Sequence, residues 1–147
     1  MEDKIVHGKI VSLQLCPGHR KPMKKVQSAE AVQQVGLKED MHAIQESARQ
    51  VLLIEKETLD VLSLQPGEVK ENITTEGVEF MSLQYGQKLK IGNSVMLEIT
   101  KPCSPCSRME EIRPGLLNEL AGRRGMLARI MTGGIIAQGD AITILAE

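Results

Sequence analysis

Val95-Met96-Leu97-Glu98-Ile99-Thr100-Lys101-Pro102-Cys103-Ser104-Pro105-Cys106-Ser107-Arg108 holds the two signals that decide how this chain is read. In its first half Val95, Leu97 and Ile99 alternate with Met96, Glu98 and Thr100, which is the period of a half-buried strand. Its second half sets two thiols three residues apart, adds two prolines that stiffen the loop, and places Arg108 two residues past Cys106. A cysteine acts chemically as a thiolate, and nearby cations and helix N-termini favour that form. The loop supplies the cations, and a helix-like segment follows it. The loop is therefore a candidate site for a soft or electrophilic ligand.

Working outward, Ile5 to Leu15 reads as a strand, with Val11, Leu13 and Leu15 on one face and Ser12 and Gln14 on the other. Pro17-Gly18 ends it, and Arg20, Lys21, Lys24 and Lys25 form a short basic loop. Val26 to Val35 fits strand or helix, and Gln50 to Ile54 is a short apolar strand. Lys56 to Leu64 has helical spacing, with Leu59, Leu62 and Ser63 on a common side. Pro66-Gly67 starts a turn, and Glu71-Asn72-Ile73-Thr74 reads as a polar loop. Gly86 and Gly92 mark turns between Met81 and Gly92. Arg108 to Leu120 reads as a helix broken at Pro114-Gly115; Met126 to Met131 is a strand, Gly133-Gly134 a turn, and Ala141 to Leu145 a last strand. Short strands joined by Gly-rich turns predict a mostly β barrel or sandwich with a few short helices.

The 147 residues fit one domain, 1–147, with enough length for a sizeable core. The net charge of −1 gives no general attraction to nucleic acid or anionic membrane. Phe80 and Tyr85 are the only aromatics, so base-stacking single-strand binders are excluded and the core is expected from Leu, Ile, Val, Met and Ala. No run reaches the ~18 apolar residues that cross a bilayer. Met1 to Lys9 lacks the apolar core of a signal peptide. Three cysteines, an odd number, do not make a secreted disulfide framework, and a reducing cytoplasm is the expectation.

Taken in order from about Gly8 to Ile144, these segments resemble the MOSC domain, the C-terminal domain of molybdenum-cofactor sulfurases, which also exists as a stand-alone protein. Gly36-Leu37-Lys38-Glu39-Asp40-Met41-His42 is similar to the family's Gly-Asp-x-His region, and Arg49-Gln50-Val51 to its Arg-Gln-Val strand entry. Pro66-Gly67 followed by Glu71-Asn72-Ile73 is similar to its Glu-Asn-Ile loop. Gly77, Gly86 and Ile91-Gly92 repeat its spaced glycines, and Pro105-Cys106 corresponds to its near-invariant cysteine. Arg129-Ile130, Gly133-Gly134 and Gly139-Asp140 resemble its closing motifs. Two positions depart from the pattern: Glu39 stands where the family has glycine before the aspartate, and Ile44 where glycine follows the histidine by two.

The resemblance implies a MOSC-like β-barrel that binds the molybdenum cofactor (molybdopterin). It implies Cys106 as the residue that ligates molybdenum or carries sulfur, and a soft thiolate suits either role. Arg49 and Asn72 correspond to its anion-facing and polar pocket residues, and Lys24 to a lysine often found near that point. An arginine grips phosphate through a planar fork of donors. Arg108, close to Cys106, is a candidate for holding phosphate, and His42 for a supporting partner or a substrate-facing base. Cys103 is either a loop residue or a thiol that resolves an oxidised or persulfidated Cys106. Asp140 reads as a turn residue.

Three functions follow. The first is a molybdenum-cofactor-dependent oxidoreductase, of the kind that reduces N-hydroxylated compounds among relatives. The second is a sulfur carrier or sulfurtransferase, with Cys106 taking persulfide sulfur from a cysteine desulfurase and delivering it to a metal–sulfur cofactor or a molybdoenzyme. No pyridoxal-phosphate domain stands in this chain, so a desulfurase step would need another protein. The third is structural zinc on Cys16, His19, Cys103 and Cys106, a formal Cys₃His set.

Overall fold

The computed structural model describes residues 5–145; the first residues of the Met1–Lys9 segment lie outside them. The strand read from Val95 onward is β8, Val95–Pro102, and Val95, Leu97 and Ile99 all point into the core. It pairs on one side with β7, Lys88–Ile91, and on the other with β9, Met126–Thr132. Across that second pair the exposed face carries a salt bridge, Arg129 Nη2 to Glu98 Oε1 at 2.7 Å, at the register Glu98↔Arg129. The register shifts between Ile99 and Lys101. Such an irregularity bends a strand, and here it comes just before the cysteine loop.

From β9 the sheet continues to β5, Val51–Glu55, then β6, Ile73–Glu76, then β1, Ile5–Leu15. Strand β11, Ala141–Ile144, pairs with both β1 and β7, so the seven strands close into a barrel. Strand β2, Lys24–Val26, is appended to the far end of β1. A small second sheet holds β3, Ser28–Val32, between β10, Gly134–Ala137, and β4, Gly36–Leu37. The mostly β barrel read from the sequence is what forms. The pair β5–β6 is parallel. A parallel pair needs a crossover, and the helix α1, Lys56–Val61, lies on that connection.

The barrel interior is aliphatic, as expected, and Phe80 joins it, fully buried. A second apolar cluster lies outside the barrel, where Ile54 of β5 and Leu59 of α1 meet Met109 of α2, Met109–Ile112, and Leu116 of α3, Leu116–Glu119. Residue Ile54 faces out while Leu53 faces in, so β5 is covered on both faces and reads as continuous apolar sequence.

Four expectations are corrected. In β1 the register shifts between Ile10 and Ser12, which resets the alternation: Ile10, Leu13 and Leu15 enter the core, Val11 is only half-buried, and Ser12 and Gln14 are buried rather than outward. Glu71-Asn72-Ile73-Thr74 is no polar loop; all four are buried and Ile73 opens β6. Ser63 is exposed with φ +58°, past the end of α1, while Leu59 and Leu62 are buried. Gly134 begins a strand instead of completing a turn. At the departure Glu39 the backbone has φ +74°, in the left-handed region that favours glycine. Among the described residues no helix is long and apolar enough to cross a membrane.

Candidate functional site

The site lies where β1 and β8 end and β5, β6 and β9 begin, and it is built on a buried polar lattice. Asn72 is its node: Leu52 N–H donates to Oδ1 at 3.0 Å, and Nδ2 donates to the Gln14 carbonyl at 3.1 Å and to Asp40 Oδ1 at 3.0 Å. These bonds tie β5, β1 and the loop after β4 to the start of β6. Asn72 thus shapes the pocket wall, and its amide is committed to protein.

Asp40 collects donors in turn. Cys16 N–H reaches Oδ1 at 2.6 Å, and His42 reaches Oδ2 through its backbone N–H at 3.0 Å and its ring Nδ1 at 3.3 Å. Burial alone would raise this carboxyl; the His42 ring, the Cys16 N–H and the His42 N–H outweigh it and hold Asp40 below the usual aspartate range. A carboxylate facing Nδ1 assigns the ring proton to that nitrogen and leaves Nε2 for a ligand.

Glu71 and Arg124 form the second buried layer. Glu71 is fully buried; its Oε2 accepts from Thr74 Oγ1 at 2.6 Å and Gly67 N–H at 2.8 Å, while Oε1 has no partner. Burial pushes Glu71 up, and the Thr74 and Gly67 bonds and the charge of Arg124 offset this only in part. Arg124 is 6% exposed. Its Nη2 donates to the Val69 carbonyl, and its Nε and Nη1 have no acceptor in the protein. Burial pulls Arg124 below the usual arginine range; Cys103, Glu71 and Cys106 pull it back, and Arg49 opposes them.

Gly125 sets Arg124 in place. It has φ +107°, and a Cβ there would lie 2.3 Å from the Leu53 carbonyl oxygen, so only glycine lets the chain pass so close to β5. Its own carbonyl accepts from Cys103 N–H at 2.9 Å, which moors the cysteine loop to the same point.

Two cavities open over this lattice. The larger, about 560 Å³, lies between the loop after β1 (Cys16, His19, Lys21), His42, Lys70, Arg124, and the segment Cys106, Arg108 and Met109 leading into α2. Cys106 is exposed on its wall. Arg108 Nη2 lies 2.6 Å from His19 Nε2, and Arg20 pairs with Glu111 at 3.1 Å, so α2 is held to the loop after β1. The smaller, about 110 Å³, is lined by His42, Arg49, Lys70, Cys103 and Arg124, closed by Leu52, Asn72 and Leu127. His42, Lys70 and Arg124 border both.

A chain of net charge −1 thus places six of its 18 Lys and Arg residues around these two cavities. The chain matches the MOSC domain family over residues 33–143. It belongs to that family. A curated relative from Gibberella moniliformis (strain M3125 / FGSC 7600), named "Reductase", is 31% identical over 83 residues, which cover 54% of this chain and 15% of that protein. The chain therefore spans only a small part of that relative. Among solved structures, it is similar to YuaD from Bacillus subtilis (TM-score 0.83, 16% identity, 98% of each chain). It is also similar to YiiM from Geobacillus stearothermophilus (TM-score 0.76, 16% identity, 95% of this chain and 75% of that one) and to YiiM from Escherichia coli (TM-score 0.71, 13% identity, 99% and 71%). At these identities the likeness shows the fold alone.

The predicted residues can now be placed. Cys106, Arg108 and His42 line the larger cavity; Arg49, Asn72 and His42 line the smaller. Lys24 lies exposed on β2 and borders neither. Besides Arg49 and Arg108, the cations that do are Arg20, Lys21, Lys70 and Arg124. Arg124 is buried although its sequence neighbour Arg123 bonds at the surface to the Glu119 carbonyl. The zinc set does not assemble. Cys16 is buried with Sγ 3.5 Å from the Gly18 carbonyl, and His19 meets Arg108. Among the described residues no three His, Cys, Asp or Glu side chains gather to hold a metal. Asp140 does serve a turn, its Oδ2 accepting from Ala137 N–H at 2.9 Å.

Proposed function

We propose that this MOSC protein binds the molybdenum cofactor in the larger cavity, with Cys106 as the thiolate ligand to molybdenum, and takes part in a reductase-type reaction in the cytoplasm. One observation carries the reading: an exposed thiol on the wall of a cavity of about 560 Å³ that Lys21, Lys70, Arg108 and Arg124 surround with positive charge. That volume is typical of cofactor sites. Arg124, which borders this cavity, brings unpaired buried nitrogens of the kind a polar ligand completes. The donor set fits the group: a soft sulfur for the metal, and cations for a phosphate. When bound, the cofactor supplies electron transfer at molybdenum. The protein supplies orientation through Arg108 and Lys70 and a proton acceptor at His42 Nε2.

The test is metal analysis with native mass spectrometry on protein made in a host that synthesises the cofactor. Molybdenum with a pterin mass is expected in the wild type and lost in Cys106→Ser, while circular dichroism shows the same fold. Equal molybdenum in both proteins overturns the assignment of Cys106. Exposure of Cys106 also favours the second reading, a sulfur carrier loaded by a cysteine desulfurase partner. Absence of molybdenum together with one added sulfur on Cys106 after incubation with a desulfurase would put that reading first.

A further inference from the structure

The smaller cavity has features the larger one does not need. Its volume, about 110 Å³, corresponds to roughly three to four water molecules at ~30 Å³ each. That is too small for a pterin ring and suited to an ion of a few heavy atoms. Its polar wall is cationic: Arg49, Lys70 and Arg124, with His42 beside them. Arg124 is buried and brings two nitrogens with no acceptor in the protein, so a ligand here would satisfy groups that the fold leaves incomplete. The wall also contains a nucleophile, Cys103, partly exposed and separate from the larger cavity on which Cys106 opens. Cys103 and Arg124 line the same small cavity, so the thiol and the guanidinium face one ligand space.

A ligand for this cavity must be small and doubly anionic, and it must offer an atom that a thiolate can attack. A sulfur oxyanion with a sulfane sulfur, such as thiosulfate, meets all three conditions. We propose that the smaller cavity is a thiosulfate-type oxyanion site in which Arg49, Lys70 and Arg124 hold the sulfonate end and Cys103 Sγ accepts the sulfane sulfur. The thiolate of Cys103 attacks that sulfur. A new S–S bond forms at Cys103, the S–S bond of thiosulfate breaks, and sulfite leaves with the electron pair. No external oxidant or reductant is required, because the sulfur passes in its zero-valent state. The charge that builds on the departing sulfite is met by the same three cations. This inference does not rest on cofactor binding at Cys106.

The experiment uses full-length Cys106→Ser, which removes the proposed molybdenum ligand, so its failure and that of the cofactor reading are distinguishable. Reduced protein is incubated with thiosulfate, trapped with an alkylating reagent and mapped by peptide mass spectrometry. The expected result is saturable addition of one sulfur atom at Cys103, release of an equal amount of sulfite, and competitive protection by sulfate. Loss of one charged hydrogen bond in Arg49→Gln should cut loading about tenfold at sub-saturating thiosulfate. Arg49 is exposed, so this variant tests the site without disturbing the core, whereas Arg124→Gln is read only alongside a fold control. No sulfur at Cys103, loading that does not saturate, or loading insensitive to both sulfate and Arg49→Gln would overturn the proposal.

Discussion

Asn72 Nδ2 lies 3.0 Å from Asp40 Oδ1, and through this buried bond the start of β6 holds the loop that carries His42. The amide also satisfies Leu52 N–H and the Gln14 carbonyl. Asn72→Ala leaves these groups without partners away from water. It should cost about 2–4 kcal/mol of stability, measured as a lower urea midpoint with unchanged slope. A loss within the error of the measurement would show that the lattice does not hold this end of the barrel.

Asp40 and Glu71 should leave opposite marks on stability against pH. The folded pKa of Asp40 is depressed, so its contribution is fully present above the ordinary aspartate value and is lost as pH falls through the lower folded one. The folded pKa of Glu71 is raised, so its contribution is present below the ordinary glutamate value and is lost as pH rises through the higher folded one. In urea titrations over a pH series, Asp40→Asn should be weaker at neutral pH with a flatter acid limb. Glu71→Gln should remove a stabilisation that appears on mild acidification.

Glu39 holds φ +74°, a conformation that costs an L-residue about 1–2 kcal/mol. Glu39→Gly relieves it but gives the unfolded chain more freedom. The net expectation is a gain of about 0.5–1 kcal/mol, visible as a higher melting temperature. A loss would mean that the glutamate side chain does more for the loop than its backbone costs.

Gly125→Ala puts a methyl group into the Leu53 carbonyl and a side chain at φ +107°. A destabilisation of about 3 kcal/mol or more is expected. The displaced Arg124 should also weaken sulfate binding, read by calorimetry on whatever fraction remains folded. Normal stability would show that β5 and β9 can part at this point.

The barrel was legible where a strand shows one clean face. Strand β8 is such a case, and the bounds of β1 could be read even though a bulge misassigned its faces. Strand β7, Lys88-Leu89-Lys90-Ile91, was hidden by its short span between turn glycines, and β10 by the glycine that opens it. The Glu71-Asn72 segment failed for a different reason. Its residues look solvated because they are polar, yet their partners Gln14, Asp40 and Thr74 come from distant or buried positions that no local pattern shows. The same holds for the site. Cys106, Arg108 and Arg49 stand in recognisable local motifs, whereas Lys70 and Arg124 become site residues only when the loops after β6's predecessor helix and before β9 meet.

One guanidinium borders both cavities. Two anions that both draw on Arg124 share a single charge, so each weakens the other's hold. Thermodynamic linkage makes that antagonism equal in both directions. On the two proposals made above, a free ion in the smaller cavity would set the affinity of the larger one, and the concentration of a simple salt would control its occupancy.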